Sequence, residues 1–236
     1  DGEKGIFTAE EIELLIRPES AYYMPRTTVI AIENTHNRAG GTIFPIEEIE
    51  KISTLAAKYK LLMHLDGARI WNASVATGIS LQKYASLFDT ISCCLSKGLG
   101  APIGSLIIST KENIKSAYRY RKAFGGGMRQ VGIIAAAGLY ALKNNIERLD
   151  EDHQKAKDIA TAISENPAFE IDINSVQTNI ISFKTKKYSV EEVMTIFKKN
   201  RILVSTGNIG FLRIVTHLDI SGDDVKKVIQ TINEKF

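Results

Sequence analysis

The residues that could do chemistry stand where apolar stretches end. Lys97 lies in "ISCCLSKGLGAPIGS" at 91–105, between a run of β-favouring residues and a loop rich in glycine, alanine and proline. Asp66 closes "LLMHLD" and precedes Gly67, Ala68 and Arg69, where small residues let a backbone come close to something. Taken alone, Asp66 reads equally well as the cap of a following helix with Arg69 as its surface partner. Lys97 follows it by 31 residues, about the length of one βαβ unit, which predicts that both side chains emerge side by side at one sheet edge.

A lysine at a strand end beside a buried aspartate has two readings. One is a structural salt bridge. The other is an ammonium whose pKa is lowered by desolvation, giving an amine nucleophile able to form a Schiff base. Pyridoxal phosphate uses such a pair: a lysine for its aldehyde carbon, and a carboxylate that keeps the ring nitrogen protonated as an electron sink. The glycines of "SKGLGAPIG" then form a loop with little bulk around a cofactor. They match a dinucleotide fingerprint only loosely, and no GxxxxGK[ST] order is present.

The elements that would position these residues follow from the apolar pattern. From residue 27 to about 110, "TTVIAIEN", "LLMHLD", "DTISCCLSK" and "GSLIIST" read as strands, with "PIEEIEKISTLAAKYK" and "LQKYASLF" as helices between them. Strands alternating with crossover helices predict an α/β fold whose mostly parallel sheet is covered by helices on both faces. Ligands of such sheets bind at the carboxyl ends of the strands. Those ends are "ENTHN", "HLDGAR" and "LSKGLG". A helical region follows from residue 127, bent near 144–151, and then "FEIDI", "TNIISFKT", "SVEEVMTIFKKN", "ILVST", "FLRIVTHLD" and "SGDDVKKVIQTINEKF" predict a small C-terminal α+β domain. The expected division is 1–150 and 151–236. "TAEEIELLIRP" reads as a helix capped by Thr8 and stopped by Pro18.

The totals set limits. The 236 residues are 44% hydrophobic, with 30 basic and 27 acidic side chains and a formal charge of +3, enough for a sizeable core and too balanced for a nucleic-acid stripe. The local cluster "YRYRK" at 118–122 reads as a solvated helix face. No apolar run approaches the roughly 18 residues of a membrane span, and "DGEKGIFTAEEIE" lacks the layout of a secretory signal. A cytoplasmic protein without nucleic-acid or membrane partners is therefore expected. Cys93 and Cys94, neighbours on a predicted strand, point to opposite faces and read as buried free thiols. Trp71 reads as core, His64 as packing below Asp66, and His217 as structural.

In their order, "ENTHN", "HLDGARIWNA", "LSKGLGAPIGS", "RKAFGGGMRQ", "AAAGLYALKNN" and "RIVTHLD" resemble the low-specificity L-threonine aldolases. These belong to the aspartate-aminotransferase-like, fold type I family that also contains β-eliminating lyases. The likeness runs from Asp1 to Phe236 and is most specific over 33–145. It implies pyridoxal 5'-phosphate as cofactor and retro-aldol cleavage of threonine or allo-threonine to glycine and acetaldehyde. It makes Lys97 the Schiff-base lysine and Asp66 the partner of the pyridine nitrogen. Arg69 is implied near the cofactor's phenolic oxygen and the substrate carboxylate, and Arg213 on that carboxylate. Lys122 and Arg129, flanking "AFGGGM", are implied at the cofactor phosphate and the subunit interface of a homodimer or homotetramer. His36 is implied near the substrate or, on the plainer reading, orders its loop. The base that takes the β-hydroxyl proton is left unassigned.

The chain also departs from the family pattern. Complete members begin with a segment carrying a substrate-contacting serine or threonine, a phosphate-binding Gly-Thr pair and a ring-stacking histidine, none of which is found here. Tyr23 stands where several bacterial members have a histidine. The resemblance therefore implies an N-terminally truncated large domain, inactive by itself. Two other readings remain open: β-elimination or transamination with the same cofactor, and a non-catalytic oligomerising module built on "GGGMRQVGIIAAAGLY".

Overall fold

The structure is a computed structural model that describes residues 2–18 and 22–236. Its contacts divide the chain into two compact units, one of Asp1–Thr35 and Phe44–Ile146, the other of His36–Ile43 and Glu147–Phe236. A single division at residue 150 does not anticipate the loop His36–Ile43, which leaves the first unit at the end of a strand and joins the second.

The first unit contains helix α1 (Ala9–Glu13), strand β1 (Val29–Glu33), α2 (Ile46–Tyr59), β2 (Leu62–Gly67), α3 (Ile70–Thr77), α4 (Leu81–Ala85), β3 (Thr90–Cys94), β4 (Ser105–Ile108), α5 (Lys111–Ala123) and α6 (Gly132–Asn144). Its sheet runs β1-β2-β3-β4, the first two pairings parallel and the last antiparallel. Local signals explain the helix starts. Thr8 and Glu11 form a reciprocal capping box on α1, and Pro45 precedes α2 with its ring-fixed φ of −60°. The first helix is shorter than the sequence pattern suggests, because only one turn is closed before the chain leaves helical geometry. Apolar residues alternate along β1 and β2, so Ile30, Ile32, Met63 and Leu65 are buried together with Ile49 and Ile52 of α2. Trp71 joins this core and donates its indole N–H to the Cys94 carbonyl at 2.9 Å. Cys93 is buried; Cys94 is only half-buried, since it faces the opposite side of β3.

The second unit contains α7 (Leu149–Glu165), β5 (Phe169–Glu170), a 3₁₀ turn (Ile173–Ser175), β6 (Ile180–Thr185), α8 (Val190–Lys199), β7 (Ser205–Thr206), β8 (Phe211–Val215) and α9 (Gly222–Lys235). The sheet order is β5-β6-β8-β7, antiparallel throughout. "FEIDI" and "ILVST" contribute only two strand residues each, because the chain turns away from the sheet beyond them. Ser189 and Ser221 open α8 and α9 with capping boxes. The core joins Phe183, Leu212 and Ile214 of the sheet to Ile159, Ile163, Phe197 and Ile232 of the helices. Among the described residues no helix is long and apolar enough to cross a membrane.

Two measurements test this packing. Phe183 is fully buried and meets the Phe169 ring edge-on at 5.3 Å, so Phe183→Ala should destabilise the second unit by about 3–5 kcal/mol in urea unfolding. His153 is buried on α7, and burial outweighs the nearby charges of Asp150 and Asp152 to lower its pKa from the ordinary 6.5. The unfolded chain therefore takes up this proton first as pH falls. The stability contributed by neutral His153 is complete above about pH 6.5 and is lost as pH drops through the folded pKa. Thermal midpoints should fall below pH 6.5, and His153→Gln should flatten that slope.

Candidate functional site

β2 and β3 run parallel with Asp66 opposite Ser92 and Gly67 opposite Cys93. The missing side chain at Gly67 makes this pairing fit, because a Cβ there would stand 3.0 Å from the Ser92 carbonyl oxygen and 3.2 Å from Ile70. The close approach suggested by the small residues after Asp66 is thus made by the neighbouring strand. Along β2, Leu62, His64 and Asp66 lie on the more open face. His64 Nδ1 lies 2.7 Å from the Thr90 hydroxyl, one layer below Asp66.

Asp66 is exposed rather than buried, and its Oδ1 accepts from the Ala68 N–H at 3.1 Å. It does not cap α3. That helix starts at Arg69, whose backbone carbonyl accepts from the N–H groups of Asn72 and Ala73. The half-buried Arg69 side chain starts beside Asp66 at the same sheet edge.

Lys97 lies three residues beyond the end of β3 in a loop with its own supports. The Gly100 N–H closes a turn onto the Lys97 carbonyl at 2.9 Å, and Gly100 adopts φ 73°, which glycine reaches without strain. Leu95 donates to the Gly104 carbonyl at 2.9 Å and accepts from Ala101 at 3.0 Å. Leu99 is buried, with its carbonyl accepting from the Asn145 side chain at 2.7 Å. Gly138 of α6 would bring a Cβ to 3.0 Å from Leu95, so α6 packs directly on this loop. The backbone is therefore fixed while the Lys97 side chain remains exposed. Among the described residues Lys97 and Asp66 form no salt bridge with each other or with any other side chain.

Lys122 lies in the last turn of α5, which buries none of its residues. The glycines 125–127 fold back on it: Gly126 donates to Arg121, and a Cβ on Gly127 would stand 2.7 Å from Lys122 Cδ. Arg129 follows at the end of this turn, exposed like Lys122.

The second unit contains a cavity of about 670 Å³ lined by Asn37, Arg38, Gly40, Ser182, residues 206–209 and Arg213. Arg213 lies opposite Ser182 in the β6–β8 pairing, on the face turned away from the core. Its Nη2 donates to Asn37 Oδ1 at 2.8 Å, and its Nε–H is buried with no partner. Burial lowers its pKa from the ordinary value, and among the described residues no carboxylate pairs with it. The loop carrying Asn37 is fastened to this unit by three bonds: Thr178 Oγ1 to the Gly41 carbonyl at 2.9 Å, the Ile43 N–H to Gln177 Oε1 at 2.7 Å, and Asn208 Nδ2 to the Arg38 carbonyl at 3.1 Å. His36 does not line the cavity; its Nδ1 accepts from the Ala39 N–H at 3.2 Å, which orders the loop.

Asp66, Arg69 and Lys97 thus share one edge of the first unit's sheet, and Arg213 shares a cavity of the second unit with the residues that follow His36. Nothing local in "ENTHN" announces the Asn37 contact, because its partner lies 176 positions away. No group of three or more His, Cys, Asp or Glu side chains among the described residues could hold a metal ion.

The arrangement matches known proteins along nearly the whole chain. A low-specificity L-threonine aldolase of Arabidopsis thaliana is 38% identical over 227 residues, covering 94% of this chain. The chain spans 63% of that relative's length. The threonine aldolase of Leishmania major superposes with a TM-score of 0.80 at 17% identity, over 97% of this chain and 67% of that one. A PLP-dependent aminotransferase of Streptococcus suis superposes with a TM-score of 0.70 at 17% identity, over 95% of this chain and 59% of that one. The fold is therefore the aspartate-aminotransferase-like α/β fold, and with residues 1–186 matching its pattern the chain belongs to the beta-eliminating lyase family.

Proposed function

We propose that the protein of which this chain forms part is a pyridoxal-phosphate-dependent aldehyde lyase that cleaves L-threonine and L-allo-threonine to glycine and acetaldehyde. The observation that carries this reading is the pair Lys97 and Asp66. A primary amine and a carboxylate stand at the ends of adjacent parallel strands, and neither is neutralised by the other or by another side chain among the described residues. A structural ion pair would have closed on itself. A pair left open suits a ligand that needs an amine at one end and a carboxylate at the other, and pyridoxal phosphate has those requirements. The relative from Arabidopsis thaliana, named for threonine cleavage, supports the choice of reaction.

Within this reading Lys97 Nζ would hold the cofactor through its aldehyde, and Asp66 would keep the proton on its ring nitrogen. When bound, the cofactor supplies the electron sink for charge that develops at the substrate Cα. Lys122 and Arg129 provide positive charge beside a glycine-rich turn, a combination that suits a phosphate. Arg213 fixes the substrate carboxylate with a planar fork of N–H donors, and Arg69 adds charge near the cofactor ring. Such fixing would orient the substrate, a matter of geometry rather than of charge alone. His36 keeps the loop beside this carboxylate site in shape.

The exposed amine also bears on assembly. An exposed Lys97 is not desolvated by the described residues of one chain, and large apolar side chains such as Phe124 and Ile133 are each 85% exposed close to Lys122 and Arg129 in sequence. Both features support a homodimer or homotetramer in which a second subunit covers this face. A cytoplasmic location agrees with such an enzyme.

The complete protein loaded with pyridoxal phosphate should release acetaldehyde and glycine from threonine faster than it eliminates from serine or tyrosine. Lys97→Ala should lose the visible absorbance of the bound cofactor and lower turnover by about a thousandfold or more. Retention of both would overturn the assignment, and faster elimination than cleavage would move the protein to another reaction of the same family.

A further inference from the structure

We propose that Asn37 is a positioning residue for the carboxylate site: it holds the Arg213 guanidinium in place through its amide oxygen while leaving the positive charge uncompensated. The proposal rests on the reading of Arg213 as the group that binds the substrate carboxylate. The atom of Asn37 facing Arg213 Nη2 at 2.8 Å is an oxygen, since a guanidinium offers only donors. An aspartate there would hold the guanidinium as well or better, and it would also form an ion pair that competes with any incoming carboxylate. A neutral amide orients without competing. No carboxylate among the described residues takes the other donors of Arg213, which lines the cavity, while its Nε–H is buried without a partner.

The setting of Asn37 suits this task. Its loop is bonded to the unit that carries Arg213 at two points that follow Asn37, at Arg38 through Asn208 and at Gly41 through Thr178. Gly40 and Gly41, at φ 89° and 80°, bring the loop so close that a Cβ on them would stand 3.2 Å from Ser182 and 2.8 Å from Thr178. Ser182 is the strand partner of Arg213. The loop is thus seated against Ser182, the residue paired with Arg213 across β6 and β8.

The test compares Asn37→Asp, Asn37→Ala and Arg213→Lys in the complete, cofactor-loaded protein. Kinetics with threonine, calorimetric binding of glycine and thermal unfolding would be measured for each. Asn37→Asp, which preserves shape and an acceptor oxygen, should raise the threonine KM and weaken glycine binding by about tenfold or more. Its kcat should stay within about threefold and its thermal midpoint should be unchanged or higher. Asn37→Ala should weaken both by about tenfold through lost orientation. A purely structural Asn37 would leave the threonine KM and glycine binding of Asn37→Asp at wild-type values, and that would overturn the proposal. If Arg213→Lys weakens glycine binding while both Asn37 variants bind normally, the positioning role fails and the carboxylate site stands. Normal binding by Arg213→Lys as well would remove the carboxylate site and this proposal together.

Discussion

The parallel pairing of β2 with β3 fixes where the reactive groups of the first unit can be. Parallel strands cannot be joined by a tight turn, so a crossover of helices α3 and α4 separates Asp66 from Lys97 in sequence while the strands lie side by side. Register is then decided by the buried side chains Leu65 and Ile91, since a slip of either strand by one residue would turn its own buried side chain to the open face. Gly67 enables the pairing at its last rung, where any side chain would press on the Ser92 carbonyl. With register set, the carboxylate and the amine both leave the sheet at its carboxyl edge.

Each unit keeps charge in reserve in a different way. In the first, Asp66 and Lys97 remain solvated, so keeping them apart costs little stability. In the second, Arg213 is partly desolvated without a counter-ion, which is unfavourable unless hydrogen bonds offset it. One comes from Asn37, and the buried Nε–H has none. Arg148 gives a contrast within the same unit, because it closes a two-armed contact of 2.7 and 3.2 Å on the fully buried Asp152. That pair, with Lys155 also 3.6 Å from Asp152, is closed by protein groups at the start of α7. Arg213 is a cation of the same type left open toward a cavity, the arrangement expected of a group whose partner is a ligand.

Much of this was legible in the sequence wherever a local rule operates. Capping residues, the alternation along β1 and β2, and the strand-helix-strand spacing between Asp66 and Lys97 all act over a few residues or one crossover. Asp66 is exposed where the apolar strand suggests a covered residue, because a strand's final side chain stands at the rim. The antiparallel β4 follows a short loop after β3, and a connection that brief permits only an antiparallel return. The membership of His36–Ile43 in the second unit had no local signature. It depends on Thr178, Gln177 and Asn208, and nothing near "ENTHNRAGG" announces partners so distant in sequence.

That loop links the two levels of organisation. Its neutral side chains and glycines seem ordinary until the partners are known, since asparagine and glycine are common wherever a chain must turn. Here glycine is required for close approach as well as for turning: Gly41 needs both φ 80° and the space that Thr178 would deny to a Cβ. A residue with a side chain would push the loop away from β6 and with it the acceptor that steadies Arg213. Backbone conformation at 40–41 therefore controls the orientation of a cation on a strand far along the chain. Orientation of that kind is what a planar guanidinium needs before it can make two hydrogen bonds to one carboxylate.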